Sequence, residues 1–179
     1  VEEKDWLGSL VKNFRLSATA LNTYLTCPYK FKLNVLVRVP RAKADYFAFG
    51  SAVHRALEMF HKSFIKDDRH PGKDYLLEQF ELALQKEALI PAAFQDRIKQ
   101  GRKILAAYYD FYHDEFRKPL FVERFFGYGW SKTFLEDIPL TGKMDKIELI
   151  DQGDKTVRVV DYKTGQSKTR NQILGKTKE

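Results

Sequence analysis

Near its C-terminal end the chain reads Val159-Val160-Asp161-Tyr162-Lys163-Thr164-Gly165. The apolar lead-in and the closing glycine suit the end of a strand, where side chains two apart share a face. Asp161 and Lys163 then project together, and Tyr162 points the other way. A carboxylate able to hold a divalent cation, beside an ammonium able to meet an anion, equips that face for chemistry on phosphates. A second acid, Asp145, lies in Leu140-Thr141-Gly142-Lys143-Met144-Asp145-Lys146-Ile147-Glu148. Here Met144, Lys146 and Glu148 alternate with Asp145 and Ile147, as in another strand. A hairpin between the two strands brings Asp145 and Asp161 side by side. Two carboxylates that close repel and shift each other's pKa unless a cation lies between them; Mg²⁺ or Mn²⁺ does this with few protein oxygens and several waters. A third group comes from Phe49-Gly50-Ser51-Ala52-Val53-His54-Arg55-Ala56-Leu57-Glu58, where His54 and Glu58 lie one helical turn apart on one face. Imidazole is a good ligand for Mn²⁺ and a tolerable one for Mg²⁺ beside carboxylates. Each piece alone has a plainer reading, an Asp capping a turn or pairing with a lysine, or a surface His with a Glu partner. Singly, the plainer reading is preferred. His61, His70 and His113 sit in no comparable context and read as packing or surface residues.

The elements that must carry these groups follow from periodicity and turn signals. Residues 17–26 read as a short helix with Ser17 as N-cap, broken at Cys27-Pro28. Residues 29–40 are open between a strand, with Tyr29, Phe31 and Leu33 alternating with polar residues, and a continued helix. A helix over 48–65, opened by Phe49-Gly50-Ser51, precedes the Pro71-Gly72 turn. Helices over 73–89, with Leu77, Phe80, Leu84 and Ala88 as the buried stripe, and over 93–116, with Ile98, Leu105, Tyr108 and Tyr112, lie either side of Pro91. Gly101 reads as a weak point of the second, costing ~1 kcal/mol. Residues 120–130, 138–150 and 156–163 are rich in Phe, Val, Ile and Tyr and read as three strands, with a hairpin turn near Asp151-Gln152-Gly153-Asp154. Helices first and an antiparallel meander after predict an α+β order or a mixed α/β sheet.

Size and composition bound the rest. The chain of 179 residues suffices for one domain with its own core, and its net charge of +7 favours a polyanionic partner. We expect a single domain over 1–165 and a basic tail over 166–179, mobile or the start of a truncated C-terminal helix. The lone Cys27 excludes an internal disulfide and suits a reducing, cytoplasmic setting. No apolar run approaches the roughly 20 residues of a membrane span, and the charged N-terminus is no signal peptide.

Together the motifs resemble a known family. The order Gly50-x-x-x-His54-x-x-Leu57-Glu58, Gly142-x-x-Asp145, Asp161-Tyr162-Lys163-Thr164-Gly165 is similar to the RecB-type branch of the PD-(D/E)XK nucleases, which includes the nuclease domains of helicase–nucleases such as RecB and AddB. The segment Leu16-Ser17-Ala18-Thr19-Ala20-Leu21 through Tyr24-Leu25, Cys27-Pro28 and Phe31 resembles the one that opens this branch. The resemblance covers about residues 16–165 and implies a restriction-endonuclease-like α/β core with N-terminal helices and a mainly antiparallel or mixed sheet. It implies His54, Asp145 and Asp161 as metal ligands, joined by the backbone carbonyl of Tyr162, with Asp145, Asp161 and Lys163 catalytic and Glu58 a supporting acid. Glu123 resembles an acid often found on the preceding strand, and a surface strand Glu is an equal reading of it. The implied activity is Mg²⁺- or Mn²⁺-dependent hydrolysis of DNA, as an exonuclease in repair or recombination, with a helicase domain or subunit as partner. Two departures stand out. The Gln-x-x-x-Tyr helix expected after the lysine is absent or lies beyond residue 179, since Lys176 stands four places after Gln172. The iron–sulfur cluster of some members needs four ligands, and this chain supplies Cys27 alone. The competing readings are a nuclease fold kept as a non-cutting DNA-binding scaffold, and a basic interaction domain whose Asp-x-Lys is coincidental.

Overall fold

The structure is a computed structural model that describes residues 3–40, 44–129, 131–166 and 168–176. In chain order it has α1 (Glu3–Val11), α2 (Ala18–Thr26), α3 (Pro28–Phe31) running into a π-helical turn at Lys32–Leu36, α4 (Asp45–Asp67), α5 (Lys73–Gln85) and α6 (Pro91–Tyr112), which closes in a 3₁₀ turn at His113–Glu115. The strands follow as β1 (Pro119–Phe126), β2 (Thr133–Leu135), β3 (Ile138–Leu140), β4 (Gly142–Asp151) and β5 (Thr156–Val160), and then the short α7 (Arg170–Ile173). The α/β class and the helices-then-strands order are those the motifs imply.

The core is built on α4. Ala48, Ala52, Ala56, Phe60 and Phe64 recur every four residues, with Phe49, Val53, Leu57 and His61 in the row beside them, and all are buried. A double row of this kind gives a helix an apolar face wide enough to meet several elements. Here it packs against α5 and β1, with Leu76, Phe80 and Leu84 of α5 and Leu105 of α6 completing the cluster. Leu76 takes the place expected of Leu77, because the four-residue row 76, 80, 84 is the one turned inward. Ala88 lies beyond the end of α5 and is exposed.

Three strands form an antiparallel sheet in the order β1-β4-β5, and β2 and β3 pair as a separate hairpin. The strand expected at 138–150 is thus two, β3 and β4, divided at Thr141. Its N–H donates to Leu16 and its hydroxyl to Phe126, so it serves neither strand. Of residues 29–40, those to 36 are helical and then π-helical, and none is in a strand. The α4 helix begins earlier than expected, so Phe49-Gly50-Ser51 sits inside it. The helix α1 and the β2–β3 hairpin carried too little periodicity to be anticipated. Of the tail, Thr169–Gln172 forms a capping box over α7, which uses Gln172 locally; residues 167 and 177–179 lie outside the described residues.

Gly101 corrects the sequence reading in a testable way. A Cβ there would come within 2.0 Å of the Phe80 ring, so the glycine is the socket for a core phenylalanine. Gly101→Ala should therefore destabilise the protein by about 1–3 kcal/mol through overpacking, against the ~1 kcal/mol gain that helix propensity alone assigns to alanine. Urea unfolding of the two proteins decides the sign.

Candidate metal centre

His54 lies one position off the buried stripe of α4, at the edge nearest the sheet, with a half-buried ring. Its Nε2 is 3.1 Å from the Tyr162 carbonyl oxygen. A carbonyl only accepts, so Nε2 carries the proton and donates. In a neutral ring that assignment leaves the lone pair on Nδ1, which is 3.5 Å from Asp145 Oδ1 and 3.6 Å from Glu123 Oε1. Locking one imidazole nitrogen on a backbone carbonyl to aim the other is the usual way a protein prepares a histidine for a metal.

The two acids meet because of sheet register. β1 pairs with β4 so that Val122 faces Lys146 and Arg124 faces Met144, which sets Glu123 opposite Asp145. Like charges directly opposed across strands are destabilising. Their side chains are only 12% and 5% exposed, so water screens them little. Glu123 also has a φ of +52°, a left-handed backbone rare for a non-glycine residue inside a strand and a store of strain. Each carboxylate has one oxygen already engaged. Glu123 Oε2 takes the Lys143 ammonium, and Asp145 Oδ2 accepts from the Tyr162 N–H at 2.7 Å. The remaining oxygens and His54 Nδ1 converge with all three atoms within 4.8 Å of one another. Ligands of one Mg²⁺ or Mn²⁺ at about 2.1 Å lie about 3 Å apart when adjacent. Two acidic oxygens and an imidazole nitrogen are therefore a donor set that suits such an ion, and binding it would draw the three atoms closer together than they stand here.

Tyr162 organises the approach of the last segment. Its N–H holds Asp145, its carbonyl holds His54, and its hydroxyl lies 2.9 Å from His61 Nε2 inside the core. Burial, then the neighbouring Tyr108, raises the Tyr162 pKa. Two residues on, Thr164 Oγ1 lies where a Cβ on Gly50 would be only 3.2 Å away. The glycine one turn before His54 thus lets residues 162–164 lie close along α4. Beside Tyr162, buried Glu148 takes Lys146 at 2.7 Å and Arg158 at 2.5 Å. Burial works to raise the Glu148 pKa, but these two cations outweigh it and hold it below the usual carboxylate value.

The other expected residues are placed as follows. Asp161 lies outside the trio and pairs with Lys163 at 2.6 Å, both exposed. The reason is local: β5 ends at Val160, short of the expected 163, so no ladder fixes the next side chains. The Tyr162 carbonyl faces Nε2 of His54, not the Nδ1 that faces the acids. Glu58 lines a cleft of ≈ 560 Å³ with His54, Glu123 and Lys143, but is engaged by Arg55 at 2.7 Å and Lys62 at 2.5 Å. Burial acts to raise its pKa, and the hydrogen bonds from Lys62 and Arg55 bring the net shift below the usual value. Sequence reasoning did not single out Lys143, although it stands two residues before Asp145 and so on the same strand face. Cys27 caps α3, its Sγ accepting from the Lys30 N–H at 3.5 Å.

Among known proteins, a family model described as the PD-(D/E)XK nuclease superfamily matches residues 15–177. No curated protein and no solved structure matches significantly. Among the described residues no helix is long and apolar enough to cross a membrane.

Two outcomes follow. Mn²⁺ or Mg²⁺ at 100 times its Kd should stabilise the wild-type protein by about 2.7 kcal/mol, read as a rise in Tm. Asp145→Asn, which keeps an acceptor for the Tyr162 N–H, should lose that rise while remaining folded. Separately, burial and then the Lys146 charge lower the His61 pKa to about 3 from 6.5. Between those values the unfolded chain binds a proton that the folded one refuses. Stability should therefore fall as pH drops below about 6.5, by up to about 1.4 kcal/mol per unit. In His61→Gln the urea midpoint should vary less with pH over that range.

Proposed function

The chain belongs to the PD-(D/E)XK nuclease superfamily, and on that footing we propose that it is a metal-dependent deoxyribonuclease of the RecB/AddB-like type. The observation that carries this reading is the convergence of His54 Nδ1, Glu123 and Asp145 in a chain that also supplies Asp161-x-Lys163. The net charge of +7 supports a phosphate-rich polymer as substrate. Exonucleolytic cutting, a helicase partner, a part in repair or recombination and a cytoplasmic setting belong to the same proposal and rest on the motif resemblance.

His54, Glu123 and Asp145 would hold a divalent cation, whose chemistry there would be to acidify a water and to withdraw charge from the scissile phosphate. The chain's own residues prepare for it. Glu123 and Asp145 supply negative charge that needs a counter-ion, and His54 is held in the tautomer that offers Nδ1. Asp161 enters by an extension of the sheet. β4 and β5 pair Lys146 with Val160, and the same register carried one residue further sets Asp161 opposite Asp145. Glu123, Asp145 and Asp161 would then form one row across three strands, with Lys163 opposite Lys143 in the row two residues away. In that arrangement Lys163 holds its protons toward the developing negative charge on phosphorus or orients the attacking water. Lys143 balances Glu123. The exposed Asp161–Lys163 pair is the one feature favouring the second reading, a nuclease fold kept as a non-cutting DNA-binding scaffold.

Labelled single- and double-stranded DNA incubated with Mg²⁺ or Mn²⁺ separates the two. Wild-type protein should cut, EDTA should abolish cutting, and Asp145→Asn, Glu123→Gln and Lys163→Ala should each lower the rate by about 100-fold or more. Wild-type protein that binds DNA but never cuts it selects the scaffold. Undiminished cutting by Asp145→Asn removes the trio from the mechanism.

A further inference from the structure

A cleft of ≈ 660 Å³ lies apart from the metal trio. It opens between the end of α1, the start of α2, the π-helical turn and the approach to β4. Arg15, Arg38, Asn13, Thr19 and Tyr128 line it, and among the described residues no acidic one does. Arg15 is placed by the backbone of the residue that follows it. The Leu16 N–H donates to Pro139 at 2.8 Å, and the Leu16 carbonyl accepts from Thr141 at 3.0 Å, a parallel bridge to the end of β3. The Arg15 guanidinium lies over the Tyr128 ring at 4.9 Å, and its Nη1 is buried with no hydrogen-bond partner among the described residues. A buried guanidinium nitrogen left unpaired is costly, and proteins seldom keep one without an acceptor to fill it.

The surroundings say what kind of acceptor. A second guanidinium, the Asn13 amide, the Thr19 hydroxyl and the first turn of α2, with its partial positive charge, all favour an anion. A planar fork of N–H donors matches a phosphate. Tyr128 is 57% exposed and offers a free edge or face for a base beside that phosphate. The cleft is also tied to the trio through one strand. Thr141 lines it, and Asp145 lies four residues further along, about 13 Å at the rise of a β-strand. That is the length of a few nucleotides.

We propose that this cleft is a second contact for the nucleic-acid substrate, in which Arg15, aided by Arg38, binds a backbone phosphate a few nucleotides from the bond that is cut. The assignment rests on the nuclease reading and gives that site a strand path. In EDTA, where nothing is cut, a fluorescein-labelled single-stranded oligonucleotide long enough to reach both sites is titrated with protein at several salt concentrations. Arg15→Gln should weaken binding at least about tenfold and lower the salt slope by about 1, and Arg15→Lys should recover part of the loss. Thr19→Glu places a carboxylate in the same cleft, and should weaken binding as strongly while the Tm rise with Mn²⁺ stays intact, which a merely structural role for Arg15 does not predict. If the wild-type protein cuts DNA while Arg15→Gln and Thr19→Glu bind as tightly as it does, the cleft assignment fails and the nuclease reading stands. If the wild-type protein neither binds nor cuts DNA, both fall.

Discussion

Two carboxylates held face to face with little water between them are the constraint on which the rest of the structure turns. Glu123 and Asp145 are opposed by the register of β1 and β4, and Glu123 adopts a left-handed backbone in doing so. Nothing in the stability of a three-stranded sheet requires either feature, and both cost free energy. Lys143 and the Tyr162 N–H offset one oxygen of each acid, and the other two oxygens are left facing an imidazole nitrogen. Such a donor set calls for a cation, and strain kept at a site of this kind is the ordinary signature of function.

The helical half exists in good part to deliver one histidine to that place. The double apolar row of α4 fixes the helix against α5 and β1, so the residue just beyond its edge must stand at the rim of the sheet. Tyr162 then ties helix to sheet with three groups of one residue: its N–H to Asp145, its carbonyl to His54, its ring hydroxyl to His61. The middle residue of the Asp-x-Lys motif is thus a clamp, and its aromatic character has a reason. A small residue there would leave His61 buried without its hydroxyl partner.

Much of this was legible in the sequence, for reasons that differ by element. His54 and Asp145 could be named because their motifs stand in an order that resembles a family's, although each residue alone has a plainer reading. Gly101 was misread because its reason, the Phe80 ring, lies on another helix. Glu123 was seen but not weighted, since its role depends on a register between strands separated by a hairpin, and on a backbone angle that no propensity predicts. Lys143 went unremarked because lysines are common and its partner is across the sheet. The end of β5 was placed too late because the apolar run and the motif behind it share one pattern, whereas the ladder stops at Val160.

The most direct measurement is anomalous diffraction from crystals of the protein grown with Mn²⁺. The account predicts a single strong peak, or the stronger of two, bonded to His54 Nδ1 and to one oxygen each of Glu123 and Asp145, with the Tyr162 carbonyl still accepting from Nε2. Ordered protein with those three side chains in place and manganese elsewhere, or nowhere, would contradict it.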